Sequence, residues 1–243
     1  MRSFIIALQF LTRIPVPALR DISEAEMGRS LLYYPLVGIV IGLLLAGLNM
    51  LLAGAPDGLQ AALVLAAWVL ITGALHLDGL ADSADAWLGG LGDRERSLAI
   101  MKDPRSGPAA VVLIVLLLLI KFAALQTLVT GVHWPVLILA PLLARTALPL
   151  LFQTTAYVRP GGLATAIAEN VSWIGGILLP LFVCLIILVS LGWRAASPII
   201  AALATFVLLR AIMCKRLGGT TGDTAGAMVE VIETVVLVVA VLV

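Results

Sequence analysis

Between His76 and Trp87 the chain reads H-L-D-G-L-A-D-S-A-D-A-W, and Asp78, Asp82 and Asp85 are the residues whose spacing most directly suggests chemistry. On a helix turning 100° per residue, Asp82 lies about 40° and Asp85 about 20° from Asp78, so the three carboxylates share one face. Like charges so placed repel one another, and a cation is expected between them. Carboxylate oxygens are the donors that a hard divalent ion such as Mg²⁺ takes. Gly79, Ala81 and Ala84 are small enough to let a substrate or a second helix come close. The bland alternative is a solvated acidic helix start.

A second stretch, Gly218-Gly-Thr-Thr-Gly-Asp-Thr-Ala-Gly226, leads into the last apolar segment. Backbone N–H groups of a Gly-rich turn at a helix N-terminus hold phosphate oxygens, and the hydroxyls of Thr220 and Thr221 add donors. Gly219, Thr220, Thr221 and Gly222 are therefore expected substrate contacts, with Asp223 a further acid. The turn is not a Walker A loop, because no Gly-Lys-Ser/Thr follows. Its alternative reading is a plain turn capped by Asp223 or Thr224. Glu230 and Glu233 lie further along the same segment, where carboxylates are costly and mark a site; Glu230 falls about 20° from Asp223 and extends its polar stripe.

Lys102-Asp-Pro-Arg-Ser-Gly-Pro108 fixes a turn that presents Lys102, Arg105 and Ser106 to an anion, unless it serves only as a basic anchor before the next span. Arg13, Arg159 and Arg210 are weaker phosphate clamps. Lys121 and Arg145, inside apolar runs, are read as paired or snorkelling. His76 and His133 lack zinc spacing and are read as non-catalytic. Cys184 and Cys214 are read as packing residues.

What must position these groups is a membrane. The 243 residues are 62% hydrophobic and 12% charged, with a mean hydropathy of +1.15, about half the charge of a soluble domain. Net charge is +1, which speaks against a nucleic-acid surface. Met1–Arg13 has too short an apolar core, and no cleavage site, for a signal peptide; Pro15 and Pro17 end it, so a short interfacial or re-entrant helix is expected. Spans are expected at Leu31–Ala53, Leu59–Leu77, Ala109–Thr130, Pro135–Phe152, Trp173–Gly192, Ser197–Met213 and Thr224–Val243. The last is marginal in length beyond Glu233. Long loops are expected only at Asp78–Pro108 and Gln153–Ser172. The fold expected is thus all-α, a single polytopic membrane helix bundle over residues 1–243, with no internal repeat. Tyr33-Tyr34-Pro35 is read as an interfacial anchor and Gly38/Gly42 as a close helix contact. Lys and Arg cluster in the N-terminus and the loops after the second, fourth and sixth spans, which places the N-terminus and all the motifs in the cytoplasm. Metal-dependent transfer of a phosphoryl-linked group is the chemistry such a cavity suits, with a substrate hydroxyl as nucleophile and one aspartate as base.

Phe10-Leu-Thr-Arg-Ile-Pro-Val-Pro17, Tyr34-Pro-Leu-Val-Gly38, Leu77-Asp-Gly-Leu-Ala-Asp-Ser-Ala-Asp-Ala86, Met101-Lys-Asp-Pro-Arg-Ser-Gly107 and Gly218-Gly-Thr-Thr-Gly-Asp-Thr-Ala-Gly-Ala227 follow one another in an order that resembles the cobalamin synthase family, the adenosylcobinamide-GDP ribazoletransferases. The resemblance covers nearly the whole chain. It implies a multi-pass inner-membrane enzyme that joins α-ribazole, or its 5′-phosphate, to adenosylcobinamide-GDP and expels GMP, with Mg²⁺ required. By position Asp78, Asp82 and Asp85 match the family's Asp-rich motif and are expected to hold the metal, joined by Asp223; the choice of Asp82, or else Asp223, as the base is our own inference from the residues. Thr220, Thr221 and Asp223 match the family's Gly-Thr-Thr-Gly-Asp segment, and the expected substrate contacts, most of them read from the residues above, are Arg13, Lys102, Arg105, Ser106, Arg159, Gly219, Thr220, Thr221, Gly222 and Glu230. Homo-oligomers or association with other enzymes of cobamide assembly are compatible with it. The aspartate motif is also similar to that of CDP-alcohol phosphotransferases, but their Arg after the Ala is missing here, since Asp82 follows Ala81 directly. An ion-coupled transporter using Asp85, Glu230 and Glu233 is the remaining alternative; the absence of a repeat and the gathering of motifs on one face argue against it.

Overall fold

The computed structural model describes residues 1–130, 135–159, 161, 164–170 and 172–243. His133 and the Pro160 and Gly162 positions of the Arg159 loop lie outside the described residues. The described chain is all helix: α1 (Arg2–Leu11), α2 (Glu24–Ser30), α3 (Tyr34–Leu51), α4 (Asp57–Thr72), α5 (Leu75–Gly89), α6 (Arg94–Ile100), α7 (Pro108–Leu128), α8 (Pro135–Thr154), α9 (Thr165–Glu169), α10 (Leu179–Leu191), α11 (Ala196–Leu217) and α12 (Gly222–Leu242). Local chemistry sets several boundaries. Ser23 and Glu26 form a capping box that starts α2. Gly218, at φ +71°, ends α11 in the left-handed conformation that a side chain resists. The expected N-terminal helix is α1, and α12, 21 residues long, is sufficient for a crossing.

By length and apolarity, the described residues contain five helices able to cross a bilayer, or six if the pair α4 and α5 makes one crossing. One of the five, Ile174–Leu217, has 44 residues, about twice what a crossing needs. It doubles back. Gly176, near one end, meets Gln153, and Gly219, just past the other, meets Ala156. Ile177 and Phe206 line a single apolar cavity, although a straight helix would hold them some 40 Å apart. The reversal falls at Gly192, φ +66°. With both limbs counted, the crossings number six, or seven if α4 with α5 makes one, against the seven expected from the hydropathy pattern.

The second expected span departs from its prediction. The apolar run continues to Leu77, but the helix breaks at Gly73 and Ala74, both left-handed (φ +61° and +55°), and α5 leaves α4 at 86°. The segment expected as a loop, Asp78–Pro108, is therefore largely helical, as α5 and α6. The turn lays the aspartate helix against α7 and α12 instead of sending it into lipid.

Where α4, α5, α7, α8 and α12 meet, the core is ionic. Lys121 Nζ donates to Glu230 Oε2 and to Glu233 Oε2, each at 2.6 Å, and Arg145 pairs with Glu233 Oε1. Trp68 Nε1 donates to the same oxygen at 3.2 Å, and Arg145 faces His76 Nδ1 at 3.4 Å. All six side chains are buried. Two cations and two carboxylates balance, so this core stays neutral within the bilayer.

Candidate active site

The site is built on the contact between α5 and α12. A Cβ on Gly79 would lie 2.6 Å from Asp223 O and 3.0 Å from Asp223 Cα, so only glycine lets the aspartate helix touch the first turn of α12. That approach puts Asp78 and Asp223 in the wall of one cavity of about 440 Å³. Asp82 follows one turn later, half-buried. The charges of Asp78, Asp223 and Asp85 bear on it, and Arg159 is the cation among them. Three of the four expected metal carboxylates, Asp78, Asp82 and Asp223, thus converge from two distant segments with a surplus of negative charge.

Arg159 arrives by a separate device. Val158 N donates to Thr220 O at 2.9 Å and Thr220 N to Ala156 O at 2.8 Å, an isolated parallel bridge that clips the loop after α8 to the Gly-rich turn. Arg159 then donates to Asp223 Oδ2 at 2.5 Å. Tyr157, carried along, also lines the cavity; burial pushes its phenol pKa up.

The expected substrate contacts divide. Arg159, Gly222 and Asp223 border the cavity. Thr220 and Thr221 are fully buried, and their hydroxyls are engaged inside the turn: Thr221 and Thr224 form a reciprocal cap, Thr224 N to Thr221 Oγ1 at 3.2 Å and Thr221 N to Thr224 Oγ1 at 2.9 Å, while Thr220 Oγ1 lies 3.0 Å from Thr224 Oγ1. The capped-turn alternative describes them better, and Gly219 serves the bridge, since a Cβ there would strike Ala156 O. Glu230 is 4% exposed and bound to Lys121, so it belongs to the ionic core. Asp85 accepts from Gly107 N (2.5 Å) and Ala110 N (3.0 Å); both its oxygens tie the Lys102–Gly107 turn and the start of α7 to α5. On that turn Lys102, Arg105 and Ser106 are exposed, and Arg105 chelates Asp103, holding its carboxyl at about 2. Arg13 is exposed and packs over Gly73 at the α4–α5 break, its N–H donating to Ile71 O at 2.7 Å. Arg210, a weak clamp by sequence, binds Thr155 Oγ1 at 2.9 Å and holds α11 to the end of α8. Among the described residues no three Asp, Glu, His or Cys side chains are already gathered as tightly as a bound ion requires.

The cavity residues His76, Phe152 and Tyr157 lie outside the family-like motifs, while Phe10 and Tyr34 open two of those motifs without an assigned role in the site. His76 alone carried a signal, a polar ring two positions before Asp78 in an otherwise apolar stretch.

Fold and site together define a polytopic membrane protein with a mainly apolar cavity that carries Asp78, Asp223 and Arg159 in its wall and is sized for a small organic ligand. Residues 3–241 match the family model described as cobalamin-5-phosphate synthase. A protein of Pseudomonas putida (strain W619) is 58% identical over 98% of both chains, and one of Pseudomonas aeruginosa (strain PAO1) is 53% identical over 98% of this chain and 97% of its own; each is named adenosylcobinamide-GDP ribazoletransferase. No solved structure matches the chain. The chain belongs to the cobalamin-5-phosphate synthase family.

Proposed function

We propose that this protein is an adenosylcobinamide-GDP ribazoletransferase, joining α-ribazole or its 5′-phosphate to adenosylcobinamide-GDP with release of GMP. Family membership supplies the substrates. The observation that supports the assignment of residues is the Gly79–Asp223 contact, which sets the helix of Asp78 and Asp82 against the first turn of α12, where Asp223 pairs with Arg159.

A ribose hydroxyl of the acceptor attacks the phosphorus on the cobinamide side of the diphosphate, and its proton passes to a carboxylate. Asp82 is the better base, because Asp223 is already tied to Arg159. The new P–O bond forms as the bond to GMP breaks, and Arg159 faces the charge that collects on the departing phosphate. Asp78, Asp82 and Asp223 are hard oxygen donors whose combined charge exceeds that of their one arginine, so the set fits Mg²⁺. When bound by these carboxylates, such an ion would supply charge neutralisation to the diphosphate oxygens. The Lys102 side chain, exposed on the turn that Asp85 anchors, extends the positive border outward, while the charge of Arg105 is matched by Asp103. Lys and Arg are concentrated on this face, which by the positive-inside rule is cytoplasmic and makes the host the inner membrane.

The test is GMP release from adenosylcobinamide-GDP plus α-ribazole by purified protein in detergent, with Mg²⁺ and with EDTA. Turnover that needs Mg²⁺ and drops at least about 10³-fold in Asp82→Asn is expected, as for loss of a general base that also holds the ion. Full turnover by Asp82→Asn would falsify the role given to that residue, and none by the unaltered protein would refute the activity.

A further inference from the structure

The geometry points to the 440 Å³ cavity as the seat of the ribazole base, with His76 Nε2–H donating to the free ring nitrogen of that base. This rests on the transferase reading above and adds to it where one of the two substrates sits and what recognises it.

Volume makes the first cut. A nucleoside fills a pocket of this size, whereas a corrin macrocycle with its amide arms does not. The corrinoid must therefore lie outside, over the rim, and only a nucleoside part of either substrate can enter. Chemistry makes the second. The walls are mainly apolar and aromatic: Phe10 and Tyr34 stack with centroids 6.3 Å apart, and Phe152 lies 6.3 Å from Tyr157. A flat, methyl-bearing benzimidazole suits such walls. Asp78, Asp223, Arg159 and Gly222 line the same cavity as the aromatics, so a base seated there leaves its ribose near the groups that activate a hydroxyl.

His76 decides between the two available bases. Its ring is 3% exposed and lines the cavity. Arg145 lies 3.4 Å from Nδ1, and a guanidinium has only donors, so Nδ1 must accept. The imidazole is then neutral and carries its proton on Nε2, while the ring's one hydrogen bond among the described residues is the one at Nδ1. Arg145 cannot turn away, because Glu233 holds it in the ionic core. The cavity is also lined by Tyr34, 1% exposed, whose OH makes no hydrogen bond among the described residues. Donors without acceptors match a base that offers one ring nitrogen lone pair and no N–H. Guanine, the other candidate, presents N–H groups whose side-chain carboxylate acceptors in this wall would have to be Asp78 or Asp223, and on the reading above those carboxylates are engaged with the ion and with Arg159. The base of the acceptor nucleoside enters, and the GMP moiety remains at the rim.

The experiment compares α-ribazole with its indole analogue, in which CH replaces the free ring nitrogen, by equilibrium binding to the purified protein and by KM in the GMP-release assay. The unaltered protein should bind α-ribazole about tenfold more tightly than the indole riboside, the effect of one neutral hydrogen bond. His76→Leu should lose that preference, His76→Gln, which keeps an N–H near the Nε2 position, should recover part of it, and KM for adenosylcobinamide-GDP should stay within about twofold in both. A preference that survives in His76→Leu, or a rise confined to KM for adenosylcobinamide-GDP, overturns the assignment while leaving the transferase activity intact. The analogue pair on the unaltered protein decides the question alone if His76→Leu does not fold: equal affinity overturns it. Failure of the transferase reading shows separately, as absence of GMP release with α-ribazole.

Discussion

Gly79→Ala tests the contact on which the site depends. The added Cβ would stand 2.6 Å from Asp223 O, against an ordinary C···O separation of about 3.3–3.6 Å. The obstacle is backbone of α12, which cannot swing aside as a side chain would, so the two helices must part by about 0.7–1 Å. Misplacement of that size costs on the order of 10²-fold in rate, a barrier increase of about 2.7 kcal/mol. Stability responds differently. Overpacking costs about 1–3 kcal/mol, but alanine in a helix interior is favoured over glycine by about 1 kcal/mol. The net loss is therefore about 0–2 kcal/mol, and turnover should fall far more than folding does. The assay is kcat for GMP release at saturating substrates, paired with thermal unfolding in the same detergent. Gly47→Ala on α3 is the control, since a Cβ there meets nothing within 4 Å; it should leave kcat unchanged. A Gly79→Ala protein whose kcat stays within twofold of the original would show that the α5–α12 contact does not set the catalytic geometry.

Lys121→Met leaves Glu230 and Glu233 facing a single cation, and loss of one member of a buried pair costs about 3–5 kcal/mol; thermal unfolding should fall sharply, and adding Glu230→Gln should restore most of it by re-balancing the charge. If the single and double variants unfold alike, charge balance is not what the core requires. Asp85→Asn removes one of two acceptors at the start of α7, a cost of about 1 kcal/mol by analogy with helix caps. Its kcat should stay within a few-fold of the original, and a collapse as deep as that of Asp82→Asn would move Asp85 from the loop anchor to the ion.

Helical periodicity alone placed Asp78, Asp82 and Asp85 on one face, because the 3.6-residue repeat is local. The same reading recognised that Glu230 and Glu233 lie too deep to be idle. It missed their partners: Lys121 stands 109 residues from Glu230 and Arg145 88 from Glu233, separations at which sequence pattern carries no register. The break at Gly73 and Ala74 was equally hidden, since the apolar run passes through it and a left-handed alanine has no compositional mark. Thr220 and Thr221 carry the right groups for a phosphate, but a buried hydroxyl must find a partner, and the nearest one, Thr224, lies in the same turn. His76 was discounted for lacking zinc spacing, which tests one role of histidine and not the others.

The ionic core explains how a polar cavity can be kept open at the edge of a bilayer. Helices in lipid gain little hydrophobic free energy by associating, so close backbone contact and interhelical polar bonds must hold them. Here Gly38 and Gly42 seat α3 against α8, and Gly79 seats α5 against α12. Glu233 then ties α12 to α4 through Trp68, to α7 through Lys121 and to α8 through Arg145. Arg145 reaches on to His76 of α5, whose ring faces the cavity. The contacts that stabilise the bundle are thus the ones that fix the orientation of the cavity's histidine, which is why loosening the core by Lys121→Met should also blunt the preference for α-ribazole over its indole analogue, whereas Asp85→Asn, acting through the rim alone, should leave that preference whole.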